Sequence, residues 1–169
     1  MRNSWLSLIA YNADKATWDK IHRMAKAETN KQARSALYRM LAGSRDAGLA
    51  RTALDLALTS EPGPTDSPAM ISEVAGSHPE MALDFVLANH ARVEQLVDVA
   101  SRSRYVARIA SASTKRESIA KLEDYARRYL TADSRKPVNQ AIAAIEAWLA
   151  TDARSRPQLR DWYLAPGRR

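Results

Sequence analysis

The stretch Arg34 to Leu58, RSALYRMLAGSRDAGLARTALDLAL, leaves this chain few ways to fold. Leu37, Met40, Leu41 and Ser44 recur at helical spacing, with Ala33 one turn before them. After a break, Ala50, Ala53, Leu54, Ala57 and Leu58 form a second stripe, widened by Leu49 and Leu56. Only Arg51, Thr52, Asp55 and Thr59 give that second helix a polar edge. A helix so apolar must be covered over most of its circumference. Gly43 and Asp46 punctuate the break, with Ser44 or Asp46 placed to cap the second helix. The unit is an antiparallel helix pair that cannot bury itself alone and must stack on other pairs.

The same grammar runs along the rest of the chain. Asn3 to Asn12 reads as a short helix with Trp5, Leu8 and Ile9 on one face. Asp14 to Glu28 reads as a second, with Trp18, Ile21, His22 and Ala25 on its apolar side. Thr29-Asn-Lys-Gln32 has the form of a capping box. TSEPGPTDS, Thr59 to Ser67, suits a loop between repeats. Pro68 to Gly76 then makes a short helix with Met70, Ile71 and Val74 inward.

Ser77-His-Pro-Glu80 and Thr114-Lys-Arg-Glu117 repeat the capping-box pattern. The helices they open carry Ala82, Phe85, Val86 and Asn89, then Ile119, Leu122, Ala126, Tyr129 and Leu130. Asn89, polar on an apolar face, is expected to bond a neighbouring backbone. Arg92 to Ser101 continues as helix after a kink, and Tyr105, Val106, Ile109 and Ala110 mark another. Val138, Ala141, Ile142, Ile145, Trp148 and Leu149 form a clear helical stripe. Ser155-Arg-Pro-Gln158 reads as the cap of a last helix whose Leu159, Trp162 and Tyr163 close the core.

Val, Ile, Phe and Thr are sparse and never alternate over a strand length, so the chain reads as all-α. About ten helices in antiparallel pairs, recurring at roughly 33–37 residues, predict a HEAT- or armadillo-like right-handed α-α superhelix. At 169 residues it is read as a single helical-repeat domain.

Charge is unevenly spread. Residues 1–91 hold 10 basic and 10 acidic side chains, whereas residues 92–169 hold 16 and 9, so the whole net charge of +7 lies in the second half. That asymmetry points to an anionic partner or to an arginine-rich solvated face. Arg104 and Arg108 share a helical face beside Tyr105, and Arg127 and Arg128 follow on the next helix. Like charges one turn apart repel slightly. These four are the candidate contacts for a carboxylate, a peptide C-terminus or a phosphate. Neighbouring Asp and Glu are the alternative partners for any one of them.

Reactive motifs do not emerge. With no cysteine, a disulfide framework, a thiolate metal site and a cysteine nucleophile are excluded. His22, His78 and His90 stand at no metal-binding helical spacing. There is no P-loop, dinucleotide fingerprint or nucleophile elbow. No catalytic residue, metal ligand or cofactor is therefore assigned. No apolar run nears the roughly 20 residues of a membrane span, and no signal peptide is evident at the start, so a cytoplasmic location is expected.

Residues 37–58 resemble a segment of the zinc-dependent gluzincin aminopeptidases, the puromycin-sensitive and endoplasmic-reticulum aminopeptidase group. Leu37, Leu41, Ala42, Asp46, Leu49, Leu54, Leu56 and Leu58 take the positions of that family's leucine-rich run in its helical C-terminal domain. ISEVAGSHPEMALDFVLANHARV is similar to the next stretch, with Phe85 and Asn89 at its aromatic and asparagine positions and Asp84 where tryptophan is common. IAAIEAWLATDARSRPQLRDWYL resembles the closing helices, with Trp148, Leu159 and Trp162 at apolar positions. The family's zinc-binding H-E-x-x-H with its distal glutamate, its G-x-M-E-N motif and its catalytic tyrosine segment are missing here.

The resemblance implies a non-catalytic wall over the active-site cavity that helps hold the peptide substrate. Its zinc would reside in a separate catalytic domain of the parent chain, which is also its first expected partner. If an array continues on the amino-terminal side in such a parent, its absence leaves an apolar flank near Trp5, and self-association is expected there. The alternatives are a protein-interaction scaffold or a basic HEAT-like nucleic-acid binder, prompted by a pI near 9.9 and four tryptophans. Trp18, Trp148 and Trp162 all fall on apolar stripes, which assigns them to the core and weakens the nucleic-acid reading.

Overall fold

A computed structural model describes residues 2–164 of the chain. The described residues form ten α-helices, with no strand among them. In order they are α1 (Arg2–Tyr11), α2 (Lys15–Ala27), α3 (Lys31–Ala42), α4 (Ala47–Ala57), α5 (Asp66–Ser77), α6 (Pro79–Ala88), α7 (His90–Leu96), α8 (Arg102–Ala110), α9 (Glu117–Tyr129) and α10 (Lys136–Leu164). A single 3-10 turn, Ala132–Ser134, precedes α10. The all-α class and the helix number agree with the sequence reading.

The helices pack as successive hairpins. α1, α3, α5, α8 and α10 touch in series, and α4, α6 and α9 line up behind them. The leucine- and alanine-lined pair α3–α4 sits inside this stack. Leu41, Ala42, Ala50, Ala53, Leu54 and Ala57 are wholly buried between neighbours. Each buried large aliphatic side chain contributes about 1.5–3 kcal/mol of transfer free energy. The alanines let helix backbones approach, while Leu54, Met70, Ile71 and Leu83 fill the space between hairpins.

Polar clips fasten each hairpin to the next. Tyr105 Oη donates to the Pro68 carbonyl at 2.8 Å, and Arg92 donates to the Leu58 carbonyl at 2.9 Å. His78 Nε2 donates to the Ser44 carbonyl at 3.0 Å, Ser113 Oγ to Glu80 at 3.0 Å, and Lys121 pairs with Asp84. These partners stand 33 to 37 residues apart. The spacing is the period of the hairpins, expressed as bonds between equivalent places in successive repeats.

Local details differ from the sequence reading where a side chain found a better partner. Asn30, rather than Thr29, caps α3, accepting from the Gln32 and Ala33 amides at 3.0 Å each. Asp46 caps α4 through the Leu49 amide at 2.9 Å. The Ser77 box does not form, because α5 runs through Ser77 and Glu80 turns instead to Ser113 and the Thr114 amide. The Thr114 box is likewise replaced, with Arg116 at the cap position and no side-chain cap bond. Asn89 Nδ2 donates to the Phe85 carbonyl at 2.9 Å, one turn back. α7 ends at Leu96, short of the expected Ser101. Gly63 takes φ of 88° between its two flanking prolines, a left-handed turn that glycine enters without strain.

The largest departure is at the carboxyl end. No cap forms near Ser155; α10 continues as one helix to Leu164 with Pro157 inside it. Only the first half of α10 meets the stack, burying Val138, Ala141 and Ile145. Trp148, Leu159, Trp162 and Tyr163, expected to close the core, are exposed instead. Leu159, Trp162 and Tyr163 lie beyond Leu149, the last α10 side chain packed against the core, so the stack does not reach their face. Tyr129, also expected inward, is half exposed and stacks on His90 with ring centroids 3.9 Å apart.

Candidate functional site

α8 is short, and its outer face carries Arg104 and Arg108 one turn apart. Its inner face buries Tyr105, Val106, Ile109 and Ala110 against α5, α6 and α10. Because α10 carries Pro137 in its first turn and offers Gln140, Ala141 and Ala144 to α8, small side chains leave a groove between the two helices. The groove encloses about 600 Å³, with Arg104, Arg108, Ser101 and Ser111 on the α8 side.

Arg108 is held in place from below. Its Nη2 donates to Ser72 Oγ at 3.0 Å, and its guanidinium lies 5.4 Å from the centre of the Tyr105 ring. Burial pushes the Tyr105 hydroxyl up to about 12, so it stays a neutral donor to the Pro68 carbonyl. Arg104 contributes a lesser part of the field that keeps Asp98 below its ordinary carboxylate value, behind the hydrogen bonds from Ser101. Among the described residues, neither Arg104 nor Arg108 forms a salt bridge.

Arg127 and Arg128 are placed differently. Both grip Asp124 on their own helix, at 2.7 Å each. The Arg127 hydrogen bond first, then that of Arg128, keeps the Asp124 carboxyl below its ordinary value. The structure therefore brings Arg104 and Arg108 to one groove and leaves Arg127 and Arg128 outside its lining. Ser72, which fixes Arg108, lies 36 residues upstream in the preceding hairpin. Only the repeat period, applied to polar residues as well as apolar ones, would have pointed to it.

The three histidines are dispersed. His22 donates to Glu61 at 2.5 Å, His78 to the Ser44 carbonyl, and His90 stacks beside Tyr125 and Tyr129. Among the described residues no group of three or more His, Cys, Asp or Glu side chains is arranged to hold a metal ion. The aminopeptidase resemblance assigns its zinc to a separate catalytic domain. No helix among the described residues is long and apolar enough to cross a membrane.

A model of the ERAP1-like C-terminal domain matches residues 1–147. The chain belongs to that family. No curated protein matches it. Membership in the ERAP1-like C-terminal domain family places the chain with the C-terminal domains of aminopeptidases. The matched region takes in the α8–α10 groove and the whole hairpin stack, and it stops one residue before Trp148, inside α10. The exposed second half of α10 is thus outside the match.

Proposed function

We propose that this ERAP1-like C-terminal domain is a non-catalytic wall of a zinc aminopeptidase, docking on the catalytic domain of the same parent chain and helping to bind peptide. The α8–α10 groove is the surface we assign to the peptide, with Arg104 and Arg108 meeting a carboxylate. The observation that carries this reading is the pair of arginines on that groove, neither in a salt bridge among the described residues, in a chain matched to this family. A guanidinium already fixed by Ser72 and Tyr105 loses little side-chain freedom when an anion arrives. Arg127 and Arg128, which share the single Asp124 carboxylate, are proposed as a secondary, weaker anion-facing patch.

Two measurements test the proposal. The isolated chain should release no amino acid from aminoacyl reporter substrates, with or without zinc. A fluorescent peptide with a free C-terminal carboxylate should bind more tightly than its amide. Arg108→Ala should abolish that difference, with a loss of about tenfold in affinity, as expected for one charge-assisted contact. Equal binding of acid and amide would remove the carboxylate assignment, and zinc-dependent turnover would overturn the non-catalytic one.

The exposure of Trp148, Trp162 and Tyr163 favours a second reading, in which the end of α10 stacks on single-stranded nucleic acid. Its arginines weigh against it, since Arg156 pairs with Asp152 at 2.6 Å and Arg160 lies 3.6 Å from Asp161. Binding to single strands with a steep salt dependence would favour that reading.

A further inference from the structure

The two ends of the array carry matching apolar surfaces. At one end, α1 and α2 enclose with α3 a groove of about 550 Å³ lined by Trp5, Leu6, Ile9, Met24, Leu37 and Met40. At the other, α10 runs past its last half-buried apolar residue, Leu149, for 15 more residues, or roughly 22 Å of helix. Leu159, Trp162 and Tyr163, at i, i+3 and i+4, share one face of that overhang.

We propose that a second copy of this chain seats this overhang in the groove, giving a head-to-tail contact between Leu159, Trp162 and Tyr163 of one copy and Trp5, Ile9 and Met24 of the next.

The areas support it. Trp5 is 68% exposed, Ile9 50%, Met24 44%, Leu159 65%, Trp162 59% and Tyr163 80%. With about 150–250 Å² for a whole aromatic side chain, these six offer on the order of 700–800 Å² of apolar surface. Interfaces are about 56–65% apolar, so this corresponds to roughly 1,100–1,400 Å² in total, the lower end of specific association. The charges agree in sign. Among the described residues Glu28 is the one charged side chain lining the groove, and the overhang carries Arg154, Arg156 and Arg160 against Asp152 and Asp161. Arg154 has no salt bridge among the described residues, which leaves it available to the Glu28 rim. The contact is heterologous, so it adds copies in one direction and leaves a groove and an overhang at the chain ends.

Sedimentation velocity from about 10 μM to about 1 mM, the affinity range of small interfaces, should show the average mass rising with concentration. The double variant L159D/Y163D and the single variant I9D should each stay monomeric throughout. Mixing the two variants should give a 1:1 dimer and nothing larger, because one intact groove then meets one intact overhang. The overhang residues support no core, and helical circular dichroism verifies that I9D is folded. If I9D fails that check, Glu28→Arg replaces it on the groove side. Four results would overturn the proposal: a monomeric wild type at about 1 mM, an L159D/Y163D variant that still self-associates, a mixture that remains monomeric, or association abolished by nuclease.

Discussion

Glu61 shows how a single side chain can tie three helices together. It sits in the loop after α4, yet it accepts from His22 on α2 at 2.5 Å and from Tyr38 on α3 at 3.2 Å, with Lys26 at 3.4 Å. Burial works to raise its pKa, but the bonds and charges of His22, Lys26 and Tyr38 outweigh that and hold it below the ordinary 4.5. Burial above all, with Glu61 second, pushes Tyr38 up to about 12, so its hydroxyl remains a donor. A carboxyl with a depressed folded pKa adds stability above its ordinary value and loses it as pH falls through the lowered one. Denaturant midpoints should therefore show Glu61→Gln weaker than wild type near neutrality, with the gap closing below about pH 4.5. A gap that ignores pH would dismiss the network as a source of stability. Asn30 gives a second test at this scale. Asn30→Ala should cost about 1 kcal/mol by loss of its two cap bonds, while Thr29→Ala, at a residue outside the helix, should leave the midpoint nearly unchanged.

At the scale of elements, α4 and the end of α10 each carry an apolar stripe and behave oppositely. Both carry apolar residues at helical spacing, Ala50, Ala53, Leu54 and Ala57 in one and Leu159, Trp162 and Tyr163 in the other. α4 lies between α3, α5 and α6, so every stripe residue meets a neighbour. At the end of α10, Leu159, Trp162 and Tyr163 stay exposed, so that stripe is wet. Leu54→Ala should cost about 2–5 kcal/mol, because it leaves a cavity among wholly buried side chains. Leu159→Ala should stay within about 0.5 kcal/mol, since the site is already in solvent. Thermal melts of the two variants compare them directly, and equal losses would contradict the exposed placement of Leu159.

For the molecule as a whole, stability should follow position in the stack. Each hairpin contacts only its neighbours, so interior repeats gain two interfaces and terminal helices one. Amide hydrogen exchange read by mass spectrometry should be slowest in α3 to α6, faster in α1, and fastest beyond residue 150. Uniform protection along the chain would point to a single cooperative core instead.

The all-α class, the hairpin unit and its period were legible in residues 34–58 and in the recurrence of similar stripes downstream. Apolar residues at a 3.6-residue period declare both a helix and the need to cover it, and that information is local. The groove pair Arg104 and Arg108 was legible as charge on one face. Its support was not, because Ser72 and the Pro68 carbonyl belong to another repeat. Caps were misplaced at Ser77 and Thr114 because Glu80 found Ser113 across the stack, a competition that no local pattern records. The fate of Trp148, Leu159, Trp162 and Tyr163 was decided only in three dimensions. A stripe states that a helix face would gain by burial, but burial needs a second surface. Whether one is within reach depends on where the preceding nine helices have ended.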